Sequence, residues 1–287
     1  MWRYLLLFIG VFACSTSVII IKASTTHALV LNAMRLLLAT VLLAPVFWRD
    51  WRRHRDAITR GHLRRGLLPG GVLALHFLAW TYGARMTNSA QATLIVNLVP
   101  VAMPFFLHFL ARERINRAEI LGTILAMTGL VVLSARDALE GGGDLWGNIV
   151  CFVSMLLFAW YLALGRRNRD FPSVWLYVVP VYLVAGLFSL GMAAPWLGSF
   201  AFASAREWSL MLGLAFVPTI CGHSALNYSM RRLRGQIVSL GNVAQFVFAG
   251  VMAFVLFREA PAAVFYAASA LAVAGVVIVI LATPSEG

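Results

Sequence analysis

Long apolar runs with almost no charged residue inside them divide the chain. Each run has about twenty residues, the helical length that crosses a bilayer core of roughly 30 Å. The runs are continuous rather than alternating, which favours helices over the strands of a membrane β-barrel. Of the residues, 61% are hydrophobic and 12% charged, whereas a soluble domain carries roughly a quarter charged residues. The sequence therefore predicts an all-α integral membrane protein, because lipid offers no partners to unpaired backbone groups.

Cutting the chain at its polar segments yields ten predicted transmembrane helices, numbered here as spans one to ten. The first begins near the N-terminus but continues past Cys14 to Ile21, which predicts an uncleaved helix rather than a signal peptide. The predicted spans are 4–21, 28–48, 67–84, 89–110, 118–134, 146–164, 174–194, 208–229, 236–257 and 262–282.

The net charge of +12 is concentrated between the spans. Seventeen of the 23 lysine and arginine residues fall on one side of the predicted topology, five on the other, and only Arg35 lies well inside a span. Such asymmetry is typical of a topology signal and argues against nucleic acid as a partner. It predicts a multi-pass protein of the bacterial inner membrane, embedded in the lipid bilayer, with both termini in the cytoplasm.

The second half of the chain repeats features of the first at a shift of 146 residues. The charged coincidences carry the comparison, because charges are scarce: they pair Arg85 with Arg231, Arg112 with Arg258, and Glu113 with Glu259. We therefore expect two five-helix units, residues 1–140 and 141–287, forming one transport domain. Because five is odd, the second unit would cross the membrane in the opposite sense. Inverted repeats of this kind are typical of transporters that alternate access to a central site.

Several of these segments resemble the two EamA-type repeats of the drug/metabolite transporter superfamily. The segments are Asn97-Leu98-Val99-Pro100, Arg112-Glu113-Arg114, the small-residue span with Gly122 and Gly129, and Arg258-Glu259. The resemblance covers essentially the whole chain and is nearest to bacterial aromatic amino acid exporters. It implies a secondary transporter. One departure is that Phe246 stands at the position matching Pro100, so we expect hinging at Pro100 and Pro104 to lack a counterpart in span nine.

The predicted function is export of small amphipathic metabolites, with aromatic or other neutral amino acids first, by alternating access around a central cavity. A drug or nucleotide-sugar carrier of the same superfamily is the alternative, and a non-transporting receptor or enzyme is the competitor from another class. Catalytic motifs such as HExxH are absent, and every Asp and Glu lies in a predicted loop or at the end of a span. This argues against an enzyme and favours facilitated transport over obligatory proton coupling. We expect no cofactor, no metal site, and a monomer or weak dimer.

Ionisable groups within a span are candidate functional residues because they are costly in lipid. Arg35 and Lys22 are each able to hold a substrate carboxylate, although both have stems long enough to reach the interface instead. His76 has Trp80 one turn later and Tyr82 nearby, a combination that suits a flat apolar side chain with one polar handle. For His76, helix packing is the alternative.

The remaining candidates are amides and aromatic side chains near the middle of the membrane. Amides could bind an ammonium group without a net charge, and hydrogen bonding between helices is their structural alternative. The predicted set is Asn97, Asn242, Gln245, Trp160 and Tyr161.

Overall fold

The computed structural model describes residues 2–87, 89–139, 145–200, 204–257 and 263–282. These residues form helices and no strands, which confirms the predicted all-α class. The helices are α1 Trp2–Ala23, α2 Ala28–His54, α3 Arg60–Arg65, α4 Leu67–Met86, α5 Ser89–Val96, α6 Val99–Ala111, α7 Arg117–Leu139, α8 Leu145–Arg167, α9 Trp175–Ala193, α10 Leu197–Phe200, α11 Ala205–Leu214, α12 Ser224–Arg232, α13 Gly235–Val243, α14 Gln245–Phe257 and α15 Ala263–Ala282.

Eight helical segments of the described chain are long and apolar enough to cross a membrane. Two further helices, α7 and α15, coincide with predicted spans five and ten and pack against each other. The count of ten spans stays a prediction. The eight segments are Trp2–Ala23, Ala28–Ala57, Arg60–Met86, Ala92–Ala111, Leu145–Arg167, Trp175–Trp196, Ala205–Arg232 and Gly235–Leu256.

The third long helical segment of each half packs against the first helix of the other half. Helix α4 lies against α8, and the segment from α11 to α12 lies against α1. Each crossing is built from small residues: Gly83 meets Cys151 and Gly147, and Gly222 meets Cys14 and Gly10. Small residues allow two membrane helices to approach closely.

Two arginines, one in each half, make matching hydrogen bonds at helix ends. The Arg85 guanidinium donates to the Ser24 carbonyl at 3.0 Å, and that of Arg231 donates to the Phe171 carbonyl. Each carbonyl belongs to the loop that joins the first two helices of a predicted unit, so these contacts agree with the sequence pairing of Arg85 with Arg231. The predicted boundary at 140–141 and the Arg258-Glu259 pair lie outside the described residues.

Spans four and nine are both interrupted near their middle. Helix α5 ends at Val96 and α6 begins at Val99, while α13 ends at Val243 and α14 begins at Gln245. In span four the cause is local, because Pro100 has no N–H to donate to the carbonyl of Val96. Span nine contains no proline, yet its helix is interrupted at Ala244. This break lies beside Asn242, which donates a hydrogen bond to Asn97 of span four.

Pro104 leaves a second carbonyl without its helical donor, that of Pro100. The side-chain amide of Gln236 in α13 donates to this carbonyl at 3.1 Å. The two prolines thus connect α6 to a helix of the other half of the chain, which is a structural role distinct from the predicted hinge.

Candidate functional site

A small cavity lies within the bundle, between α1, α4, α5, α8, α14 and the π-helical segment Ala215–His223. Its wall combines aromatic rings with a few polar groups. The lining residues are Cys14, Ser17, His76, Phe77, Trp80, Val96, Phe158, His223 and Gln245.

Helix α4 presents its polar and aromatic groups to this cavity. His76 and Trp80 are four residues apart and therefore lie on one face of the helix. Asn32 of α2 fixes α4 here: it donates to the Phe77 carbonyl at 3.1 Å and accepts from the Thr81 hydroxyl at 2.9 Å. These contacts hold the face that carries His76 and Trp80 toward the cavity.

His76 is buried and oriented by α8. Its Nδ1 lies 3.0 Å from the Ser154 carbonyl oxygen and 2.9 Å from Ser154 Oγ, and we assign the proton to Nδ1 because a carbonyl oxygen only accepts. The neutral ring then keeps Nε2 as an acceptor. Phe158 stacks on the imidazole with ring centroids 4.7 Å apart. The histidine therefore offers the cavity an aromatic face and a hydrogen-bond acceptor.

A π-helical turn at Ala215–His223 connects α11 to α12 and places polar groups beside α2. Pro218 has no N–H for the Leu214 carbonyl, and the Thr219 hydroxyl donates to that carbonyl instead, at 2.8 Å. The Thr219 carbonyl accepts from the Ser224 N–H and also from the Tyr182 hydroxyl, the latter at 3.2 Å. Such π-helical turns often occur at functional sites.

Arg35 is fully buried next to the cavity. Its Nε donates to the Thr219 hydroxyl at 2.6 Å, its Nη1 lies 3.4 Å from Ser17 Oγ, and its guanidinium stacks 3.8 Å above the Phe77 ring. Its Nη2 has no hydrogen-bond partner among the described residues. Since Ser17 and Phe77 line the cavity, the charge of Arg35 lies directly behind the cavity wall.

Further aromatic and amide side chains surround this wall. Tyr161 accepts from the Asn227 amide at 2.6 Å, and its ring lies 6.0 Å from that of His223. The Asn242 amide donates to Asn97 Oδ1 at 3.2 Å, and Gln245 donates to Asn242. Of these three amide side chains, Gln245 alone lines the cavity. Asn97 and Asn242 are interhelical contacts between the two interrupted spans.

Three predicted residues lie away from the cavity. Lys22 donates to the Thr87 carbonyl at 2.9 Å at the end of the bundle. Tyr82 is 36% exposed and makes an edge contact with His27. Trp160 stacks on Phe106 with centroids 6.3 Å apart. In this conformation the structure thus brings together His76, Trp80 and Gln245, with Arg35 and Tyr161 behind them.

Sequence reasoning missed part of the cavity wall. The lining residues Ser17, Phe77, Phe158 and His223 were not among the predicted site residues. Ser17 had a usable signal, since it lies one turn after Cys14 in an otherwise apolar span. For Phe77 and Phe158 no signal exists, because phenylalanine is common on lipid-facing surfaces too.

Polar clusters join the two halves at both ends of the bundle. At the arginine-rich end, Glu113 pairs with Arg166 at 2.9 Å and Glu119 with Arg234 at 2.5 Å. A third pair at this end links Arg65 to Asp170, and its hydrogen bonds hold the pKa of the Asp170 carboxyl below its usual value. At the opposite end, the Glu207 carboxylate accepts from the hydroxyls of Ser24 and Thr26 at 2.6 and 2.7 Å. Contacts between the two halves therefore lie at both ends of the bundle.

The chain is similar to several known proteins along much of its length. It is 25% identical to the "Inner membrane protein YtfF" of Escherichia coli (strain K12) across 89% of this chain and 88% of that protein. It is 22% identical to the "Uncharacterized transporter YoaV" of Bacillus subtilis (strain 168), over 51% of this chain and 49% of that protein. A solved protein structure superposes with a TM-score of 0.75 at 20% identity, over 97% of this chain and 96% of that chain, which shows a shared fold.

The family comparison covers nearly the whole chain. The EamA-like transporter family matches it twice, over residues 1–135 and 145–281. The two matches correspond to the two halves whose helices pack reciprocally around the central cavity. The chain is a multi-pass membrane protein and belongs to the EamA-like transporter family of the drug/metabolite transporter superfamily.

Proposed function

We propose that the protein exports neutral amino acids with aromatic side chains across the bacterial inner membrane, by alternating access around the central cavity. The termini lie in the cytoplasm in this proposal, so that the arginine-rich end faces inward. The position of the cavity between two inter-half clusters, one at each end of the bundle, carries the proposal, because an alternating-access carrier opens its central site to one side at a time.

The chemistry of the wall supports the substrate class. Phe77, Trp80 and Phe158 provide flat apolar surfaces, on which an aromatic side chain gains both area and ring contacts. His76 Nε2 and the Gln245 amide provide neutral polar groups that suit an ammonium group. No carboxylate lines the cavity among the described residues, which disfavours a cationic drug as substrate and supports facilitated transport over proton coupling.

Counterflow in proteoliposomes tests this function. Vesicles loaded with unlabelled L-tryptophan should accumulate labelled L-phenylalanine transiently, and protein-free vesicles should not. Vesicles loaded with a nucleotide sugar or with a lipophilic cation should not accumulate labelled L-phenylalanine. Counterflow with either of those compounds and none with amino acids would replace the proposed substrate class. Saturable binding of amino acids without any flux would indicate a receptor instead.

A further inference from the structure

We propose that Arg35, Ser17 and Trp80 form a carboxylate subsite at the wall of the central cavity. The inference rests on the proposed function and deepens it, because it assigns the group that recognises the common head of an amino acid. The sequence left both Arg35 and Lys22 as candidates for this role, and their positions in the structure differ.

The charge of Arg35 is not neutralised by the protein in the part of the chain that the structure describes. The carboxylates described there pair elsewhere, with partners at the two ends of the bundle or in exposed loops. Arg35 has only neutral neighbours: Thr219, Ser17 and the Phe77 ring. A buried charge without a counter-ion is costly in a membrane span, and such a charge is normally retained for function.

Ser17 links this charge to the cavity. Its Oγ lies 3.4 Å from Arg35 Nη1 and accepts from Trp80 Nε1 at 3.2 Å. One hydroxyl oxygen thus faces two donors that belong to different helices, and the bond to arginine is long. Both Ser17 and Trp80 line the cavity. A carboxylate that approaches Ser17 offers two oxygens to these donors and to the unpartnered Nη2 of Arg35.

The donor set suits a single negative charge. One guanidinium, one hydroxyl and one indole N–H match a carboxylate, which accepts two N–H bonds from arginine in parallel. A phosphate dianion would require a second cation. The other candidate, Lys22, donates to the Thr87 carbonyl at the end of the bundle, away from the cavity.

Binding to the purified, full-length protein tests the subsite independently of transport. The probes are L-phenylalanine and L-phenylalaninamide, which differ only in the carboxylate, and the readout is the ratio of their dissociation constants from calorimetry. A charge-assisted pair contributes about 1.5 to 3 kcal/mol, so we expect the wild type to prefer the acid by roughly 10- to 100-fold. Arg35→Gln should bring this ratio close to one, and Arg35→Lys should restore part of it.

Two further variants separate recognition from folding. Trp80→Phe keeps the ring and removes only the N–H, so the ratio should fall severalfold even if Arg35→Gln proves unstable. Lys22→Gln should keep the wild-type ratio. A purely structural role for Arg35 predicts equal loss of affinity for both probes and an unchanged ratio, and this result would overturn the subsite. So would a wild-type ratio near one or the absence of binding. With active counterflow, these results leave the proposed function intact.

Discussion

At the scale of single residues, two neighbours on one helix show what determines the cavity. Trp80 and Tyr82 are two residues apart on α4, so they face different directions. Trp80 is 6% exposed at the cavity, whereas Tyr82 is on the outside of the bundle. Both have the composition of a site residue, and only the packing of α4 against α2 and α8 distinguishes them. The sequence could therefore nominate aromatic residues but could not orient them.

Removing the Trp80 ring should weaken substrate recognition. Aromatic pairs contribute about 0.5 to 1.5 kcal/mol beyond the area they bury, so Trp80→Ala should raise the KM for counterflow of L-phenylalanine about tenfold at its upper value. His76→Ala should also impair transport, because it removes the stacked imidazole and the Nε2 acceptor.

Both variants should remain monodisperse in detergent, since each leaves its helix backbone intact. Tyr82→Ala is the matched control: it removes an aromatic residue of the same helix outside the cavity, and the KM should stay near the wild-type value. Unchanged transport in both cavity variants would assign His76 and Trp80 to helix packing.

At the scale of helices, the sequence predicted the elements better than their interruptions. The apolar runs located the spans because hydrophobic length is a local property. Pro100 also signalled the break in span four. The break in span nine has no local signal, because Phe246 stands at the position that matches Pro100 of span four. There the helix is interrupted at Ala244, two residues after Asn242, whose amide donates to Asn97 of span four across the bundle. A contact between distant residues cannot be deduced from one segment.

The helix crossings predict a specific stability defect. A Cβ atom added at Gly222 would lie 2.5 Å from Cys14 Sγ, so Gly222→Ala must displace α1 or the π-helical turn. Overpacking of this kind costs about 1 to 3 kcal/mol, and we expect a lower Tm in detergent. Cys14→Ala should restore part of the loss in the double variant.

Gly191→Ala is the control for this crossing, because nothing lies within 4 Å of its added Cβ. Its Tm should equal that of the wild type or exceed it slightly. If Gly222→Ala left the Tm unchanged, the close approach of α1 to the α11–α12 segment would be incorrect.

At the scale of the whole molecule, the polar clusters at the two ends of the bundle differ in chemistry. The arginine-rich end relies on ion pairs around Glu113 and Glu119, whereas the opposite end relies on hydroxyl and backbone donors around Glu207. Each cluster joins the two halves of the chain. Opening one cluster while the other stays closed would expose the cavity to one side of the membrane at a time, which is the requirement of alternating access.

The most direct test of this account is access to the cavity from each side. Val96 is 5% exposed and lines the cavity, so Val96→Cys in a variant whose three native cysteines are replaced provides one reporter thiol. A membrane-impermeant thiol reagent should modify it in both right-side-out and inside-out vesicles, and L-phenylalanine should slow the reaction from both sides. Modification from one side only, or no protection by substrate, would contradict alternating access around this cavity.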